Sequence, residues 1–120
     1  MTYLTYTNTY ENVTDFEFNV DISIKSGEML EQVQNEFTSL TYIGESLETI
    51  SYQDKTIEFE LFYDPDDNNQ EYIFEIETYI SPDEQLRKVT LTFCKIELLS
   101  LEKQELIKEQ KECNLINFYI

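Results

Sequence analysis

The chain has 120 residues, 25 of them Asp or Glu and 8 Lys or Arg, with no His, for a formal net charge of −17. A charge of that sign excludes direct binding to nucleic acid or to an anionic membrane surface, and the absence of His removes the imidazole base and the His-ligated zinc site. An apolar share of 41%, with 9 Tyr and 8 Phe, is enough for one core, so the composition is that of a folded acidic domain over 1–120 and not of a disordered tail.

In chain order, Met1-Thr2-Tyr3-Leu4-Thr5-Tyr6 lacks a basic region followed by an apolar stretch. No apolar run approaches the roughly 20 residues that cross a bilayer, so a cytoplasmic location is expected. The Thr- and Tyr-rich segment from Tyr3 to Tyr10 reads as extended. Residues 16–24 are apolar at every even position and polar at every odd one, the pattern of a half-buried strand. Ser26 then caps a predicted helix with apolar positions Met29, Leu30, Val33, Phe37 and Leu40. A short strand is expected over 47–52, followed by a turn at Gln53-Asp54-Lys55 and a strand over 57–63. Asp64-Pro65-Asp66-Asp67-Asn68-Asn69-Gln70 consists of turn formers, and 72–80 reads as the return strand. Ser81-Pro82-Asp83-Glu84 turns the chain into a strand over 89–94. A polar helix over 101–112 capped by Ser100 and a last strand over 115–120 complete the series. The expected fold is α+β: one mostly antiparallel sheet, a meander of about four to six strands, with one or two helices on one face and an acidic opposite face.

The charge is segregated. Residues 1–86 hold 20 acids against Lys25 and Lys55, a net of −18, whereas 87–120 hold 5 acids and 6 bases. A symmetric hairpin closed by the 64–71 loop would set Tyr63 against Tyr72, Leu61 against Phe74 and Phe59 against Ile76. Its other face would then oppose Glu60 to Glu75 and Glu58 to Glu77. Like charges directly opposite are destabilising, so their repetition points to use of the surface. If 16–24 joins that sheet, Glu17 and Asp21 extend the patch. Phe62 and Tyr79 stand on it as aromatic anchors, and Asp64, Asp66 and Asp67 offer a second contact. The next hairpin is expected to set Phe74 against Phe93 and Ile76 against Leu91.

Chemistry is sparse by comparison. Asp64, Asp66, Asn68 and Glu75 fall at calcium-loop spacing, but Asn69 stands where the sharp turn requires Gly and the flanks read as strands. The isolated Gly27 and Gly44 make no phosphate loop, and no Ser or Cys has a base beside it, so neither catalysis, a metal nor a cofactor is expected. Cys94 and Cys113 read as free thiols. The helix over 101–112 is a solvated face or, alternatively, a homodimer contact. The expected function is that of a small acidic inhibitor occluding the basic nucleic-acid-binding surface of a nuclease or defence effector. This is nucleic-acid mimicry of the kind phage or mobile-element anti-CRISPR and anti-restriction proteins use. An immunity protein against a nuclease toxin is the alternative, and a non-catalytic adaptor or assembly protein the next.

Overall fold

Residue 14, not residue 26, starts the first helix. The computed structural model describes residues 5–83 and 86–118, and in it β1 (Thr5–Val13) is followed at once by α1 (Asp15–Glu36). This helix takes in the strand expected over 16–24 and most of the helix expected after Ser26, and it ends before the Phe37 and Leu40 assigned to that helix. The cause is a capping box: Thr14 Oγ1 accepts from the Glu17 amide at 3.3 Å, and the Glu17 carboxylate accepts from the Thr14 amide at 3.3 Å. Alternation misleads because α1 is apolar on two sides. Phe18, Ile22, Met29 and Val33 turn inward, whereas Phe16, Val20 and Ile24 turn outward and are 73, 40 and 55% exposed. Ser26 is no cap; its hydroxyl donates to the Ile22 carbonyl at 2.7 Å inside the helix.

The remaining elements are β2 (Thr41–Ser46), β3 (Ile50–Tyr52), β4 (Lys55–Asp64), β5 (Gln70–Ile80), β6 (Arg87–Lys95), α2 (Leu101–Glu112) and β7 (Ile116–Phe118). Tyr3 and Leu4 of the expected first strand, Glu84 of the expected turn, and Tyr119 and Ile120 of the expected last strand lie outside the described residues. The strands form one antiparallel sheet in the order β1-β6-β5-β4-β2-β7, with β3 beside the other half of β4, so the fold is α+β as expected. Ser100 caps α2 as expected, its hydroxyl oxygen accepting from the Lys103 amide at 3.2 Å.

The sheet buries both faces. Phe62, Tyr72, Phe74, Val89, Leu91 and Phe93 pack with Ile22, Met29 and Val33 of α1. The intervening Phe59, Leu61, Ile73 and Cys94 pack with Ile107 of α2 and with Ile116. The helices therefore lie on opposite faces, and the expected wholly acidic second face gives way to a second core. On that face α2 runs against β5 in matched steps: Lys103 bonds Glu75 and Glu77, Ile107 shares the core with Ile73, and Lys111 pairs with Glu71. Four helical residues rise about 6 Å and two strand residues about 6.7 Å, so the i, i+4 stripe of α2 stays in step with alternate residues of β5.

The two glycines make opposite predictions. A Cβ on Gly27, in the exposed middle of α1, would meet nothing within 4 Å, so Gly27→Ala raises stability by about 0.5–1 kcal/mol through helix propensity. A Cβ on Gly44 would stand 2.3 Å from the Asn117 carbonyl oxygen of β7. Gly44→Ala therefore forces β7 outward and costs about 1–3 kcal/mol. Urea denaturation midpoints check both signs, and amide exchange at 116–118 locates the second effect.

Candidate partner-binding surface

The turn between β4 and β5 decides where the acidic residues go. Asp64 pairs with Gln70 across a five-residue connection made of a 3₁₀ turn (Pro65–Asp67) and two left-handed residues, Asn68 and Asn69. The Asp64 carboxylate, itself buried, accepts from the Asp66 amide at 3.0 Å and fixes that turn. Opposed residues consequently run one step out of the expected register: Phe62 faces Tyr72, Glu60 faces Phe74, Phe59 faces Glu75, Glu58 faces Ile76 and Ile57 faces Glu77. A slip of one residue sends a strand's side chains to the other face. The expected oppositions Glu60–Glu75 and Glu58–Glu77 do not form, and the four glutamates separate, two to each side of the sheet. The β5–β6 register is as expected, with Phe74 against Phe93 and Ile76 against Leu91.

Glu75 and Glu77 lie under α2 and are occupied. Lys103 Nζ donates to Glu75 Oε1 and to Glu77 Oε2, both at 2.8 Å, and Lys55 Nζ donates to Glu77 Oε1 at 2.9 Å. Lys103 also sits 5.3 Å from the centre of the Tyr52 ring. Glu75 is 3% exposed, and its Oε2 has no hydrogen-bond partner. Burial pushes the Glu75 carboxyl above its ordinary value despite the bond from Lys103. Burial also works to raise Glu77, but there the bonds from Lys103 and Lys55 prevail and hold it low. These two carboxylates hold α2 to the sheet and do not face a partner.

Glu58 and Glu60 remain on the α1 side, where that helix does not reach. They line an open groove of about 320 Å³ with Glu45 and Glu48, floored by Phe74 and Ile76, and no Lys or Arg lines it. Glu45 is directly opposite Glu60 in the β2–β4 register. A like-charge opposition is thus present, between a different pair of strands from the one expected. Burial raises the Glu60 carboxyl, and the charge of Glu45 raises it further. Glu58 is tied at one oxygen by the Thr49 hydroxyl, which donates at 3.0 Å. Glu45 escapes a reading of the sequence because β2 carries Gly44 and a bulge between Tyr42 and Gly44, which break its alternation. The β-branched and aromatic run Thr41-Tyr42-Ile43 is the signal for that strand.

The other expected contacts divide. Glu17 and Asp21 lie on α1 and so extend no sheet face; Glu17 closes the capping box and Asp21 is exposed. Phe62 is 4% exposed and packs on Tyr42 and Phe93 at centroid distances of 5.4 and 6.0 Å, so it anchors the core and not a partner. Tyr79 is 39% exposed, on the α2 side. Asp66 and Asp67 are exposed at the turn, Asp66 accepting from the Ser39 hydroxyl. Asp64 and Glu75 of the calcium-like spacing are separated, one capping the turn and the other bonded to Lys103. Among the described residues no three His, Cys, Asp or Glu side chains are grouped to hold a metal ion. Cys94 and Cys113 are free, and burial pushes the Cys94 thiol up to about 11. No helix of the described residues is long and apolar enough to cross a membrane. Compared with known proteins, the chain matches no family model, no curated protein and no solved structure.

Proposed function

We propose that the protein is a small acidic inhibitor that seats the Glu45–Glu48–Glu58–Glu60 groove on a basic, nucleic-acid-binding surface of another protein and occludes it. The observation that supports this reading is the retention of Glu45 opposite Glu60 with no base among the lining residues. Such an opposition costs a few tenths of a kcal/mol of folding stability that a Lys at either position would recover. Elsewhere the chain does neutralise its acids: Arg87 bonds Asp15, Lys88 lies 3.9 Å from Glu11, and Lys103 and Lys111 serve β5. Alternate carboxylates on one strand stand about 6.7 Å apart and neighbouring strands about 4.8 Å, a spacing of the order of nucleic-acid phosphates. The apolar floor formed by Phe74 and Ile76 would receive the aliphatic stem of an entering Lys or Arg. The mechanism is steric, with electrostatic steering and no covalent chemistry.

The test is displacement of labelled DNA from a panel of basic proteins: an RNA-guided effector nuclease, a restriction endonuclease and a toxin nuclease. At least one is expected to lose its DNA at low salt and to regain it as salt rises. The Glu45→Gln, Glu58→Gln, Glu60→Gln triple variant is expected to need at least tenfold more protein for the same displacement. Inhibition confined to the toxin nuclease would assign the same surface to immunity. Equal potency of the triple variant and the native chain rejects the groove.

A further inference from the structure

At the other end of the sheet, β1 is the terminal strand, and among the described residues nothing pairs with its outer side. Proteins ordinarily blunt such an edge with charge, proline, a bulge or shortness. The opposite edge follows that rule, since β7 is three residues long. β1 is nine residues long, and Thr5-Tyr6-Thr7-Asn8-Thr9-Tyr10 carries no charge, no Gly and no Pro; its irregularity comes only after Tyr10. Six consecutive uncharged residues rich in Thr and Tyr are good strand formers, and no described strand pairs with their outer side.

Beside this edge lies a groove of about 550 Å³ between β1 and the first half of α1. Tyr10 and Val13 line it from the strand, and Ile24 from the helix, where it is 55% exposed and ends the outward row Phe16, Val20, Ile24. Glu17 and Asp21 border those apolar groups with carboxylates, Glu11 lies 3.9 Å from Lys88, and the lining base, Lys25, stands 3.6 Å from Glu28. A strand laid along β1 would present alternate side chains to this groove and to the opposite face of the sheet. Its groove-facing side chains would meet apolar surface bordered by carboxylates.

We infer that the β1 edge and its groove with α1 form a second binding site, which takes an extended segment of a partner protein as an added antiparallel or parallel strand, with apolar and basic residues taking turns at its groove-facing positions, every second residue of the segment. Backbone pairing would supply affinity and the groove would supply selectivity. A second copy of this chain fits less well, because it would bring another −17 to a site already acidic. The inference rests on the proposed function only in taking the partner to be basic; the site itself is separate from the Glu45–Glu60 groove.

The heptapeptide Val-Thr-Lys-Thr-Val-Thr-Lys, which sets Val and Lys on one face, is the probe (the Lys–Val peptide), with Val-Thr-Glu-Thr-Val-Thr-Glu as control (the Glu–Val peptide), and binding to the full chain is read by fluorescence anisotropy and by amide hydrogen exchange. The Lys–Val peptide is expected to bind and to slow exchange within 5–13, and the Glu–Val peptide to do neither. Asp21→Lys and Ile24→Lys, both on exposed positions of α1, are each expected to weaken binding at least tenfold. The triple Gln variant of the other groove is expected to change it less than twofold. Slowed exchange over 41–60 in place of 5–13, or no slowing at all, overturns the inference. So does protection of 5–13 that grows with protein concentration without peptide, which would assign the edge to a second copy. Failure here with DNA displacement intact removes this site alone; the converse removes the inhibitor reading alone.

Discussion

Lys103→Met is expected to lower stability at neutral pH by about 3–5 kcal/mol, the cost of stranding a buried charge whose partner is removed. The Lys103 and Glu75 side chains are only 14 and 5% exposed, and Glu75 already has one oxygen without a partner. Removing the ammonium leaves that carboxylate with Glu77 beside it and no compensating donor. Adding Glu75→Gln to Lys103→Met is expected to recover a large part of the loss, because an amide tolerates the site better than an anion does. Equal stability of the native chain and the single variant in urea denaturation would remove the network as the fastening of α2.

The pH dependence gives the same prediction an independent sign. Burial disfavours the charge on Lys103, but its bonds to Glu75 and Glu77 outweigh that and hold its pKa above the ordinary 10.5. Its contribution is therefore fully present below 10.5 and lost as pH rises through the higher folded value. Glu77 is held below its ordinary 4.5, so its contribution is present above 4.5 and lost as pH falls through the folded value. Glu75 has the reverse sign: its raised pKa gives a contribution present below 4.5 and lost as pH rises through the folded value. The native chain is thus expected to lose stability above pH 10.5 through Lys103, and Lys103→Met to lack that step. The variant is also expected to gain more than the native chain on acidification from pH 7 to 5, as its unpaired Glu75 takes up a proton.

The hairpin residues and both ends of α2 were legible because local chemistry determines them. Ser100 caps, the 64–70 segment contains only turn formers, and Phe74 against Phe93 follows from strand alternation. What could not be read were features that depend on a single residue or on distant contacts. The Thr14–Glu17 capping box was in plain view, yet nine alternating residues outweighed it, because a helix apolar on two sides has the same pattern as a strand. The hairpin register depended on Asn68 and Asn69 both adopting left-handed backbone, which shortened the loop and changed the parity of the pairing.

That parity redistributes the charge. Alternate glutamates on β5, read as an exposed face, are the complement of Lys103 and Lys111 on α2. The near-neutral C-terminal third is in this sense the counterion of the acidic body. Four of its six bases, Arg87, Lys88, Lys103 and Lys111, pair with acids of residues 1–86. The segregation seen along the chain is thereby partly undone in space, and the acids that matter for a partner are those this pairing does not reach.

Glu45→Lys is the substitution that sets folding against binding. A Lys there stands opposite Glu60 and turns a repulsive cross-strand pair into an attractive one, so stability is expected to rise by about 0.2–1 kcal/mol. The same change places a cation among Glu48, Glu58 and Glu60, which lowers the steering field where a basic partner would approach. Association with the panel nuclease that the native chain inhibits is expected to slow 10- to 100-fold at low salt, with a shallower salt dependence and little change in the dissociation rate. Thermal melting and stopped-flow association, run on the same preparation, read the two effects separately. A surface kept only to prevent aggregation predicts the rise in stability without the loss of association. A glutamate kept for the fold predicts lower stability. Only a carboxylate retained for a partner predicts a more stable protein that binds more slowly.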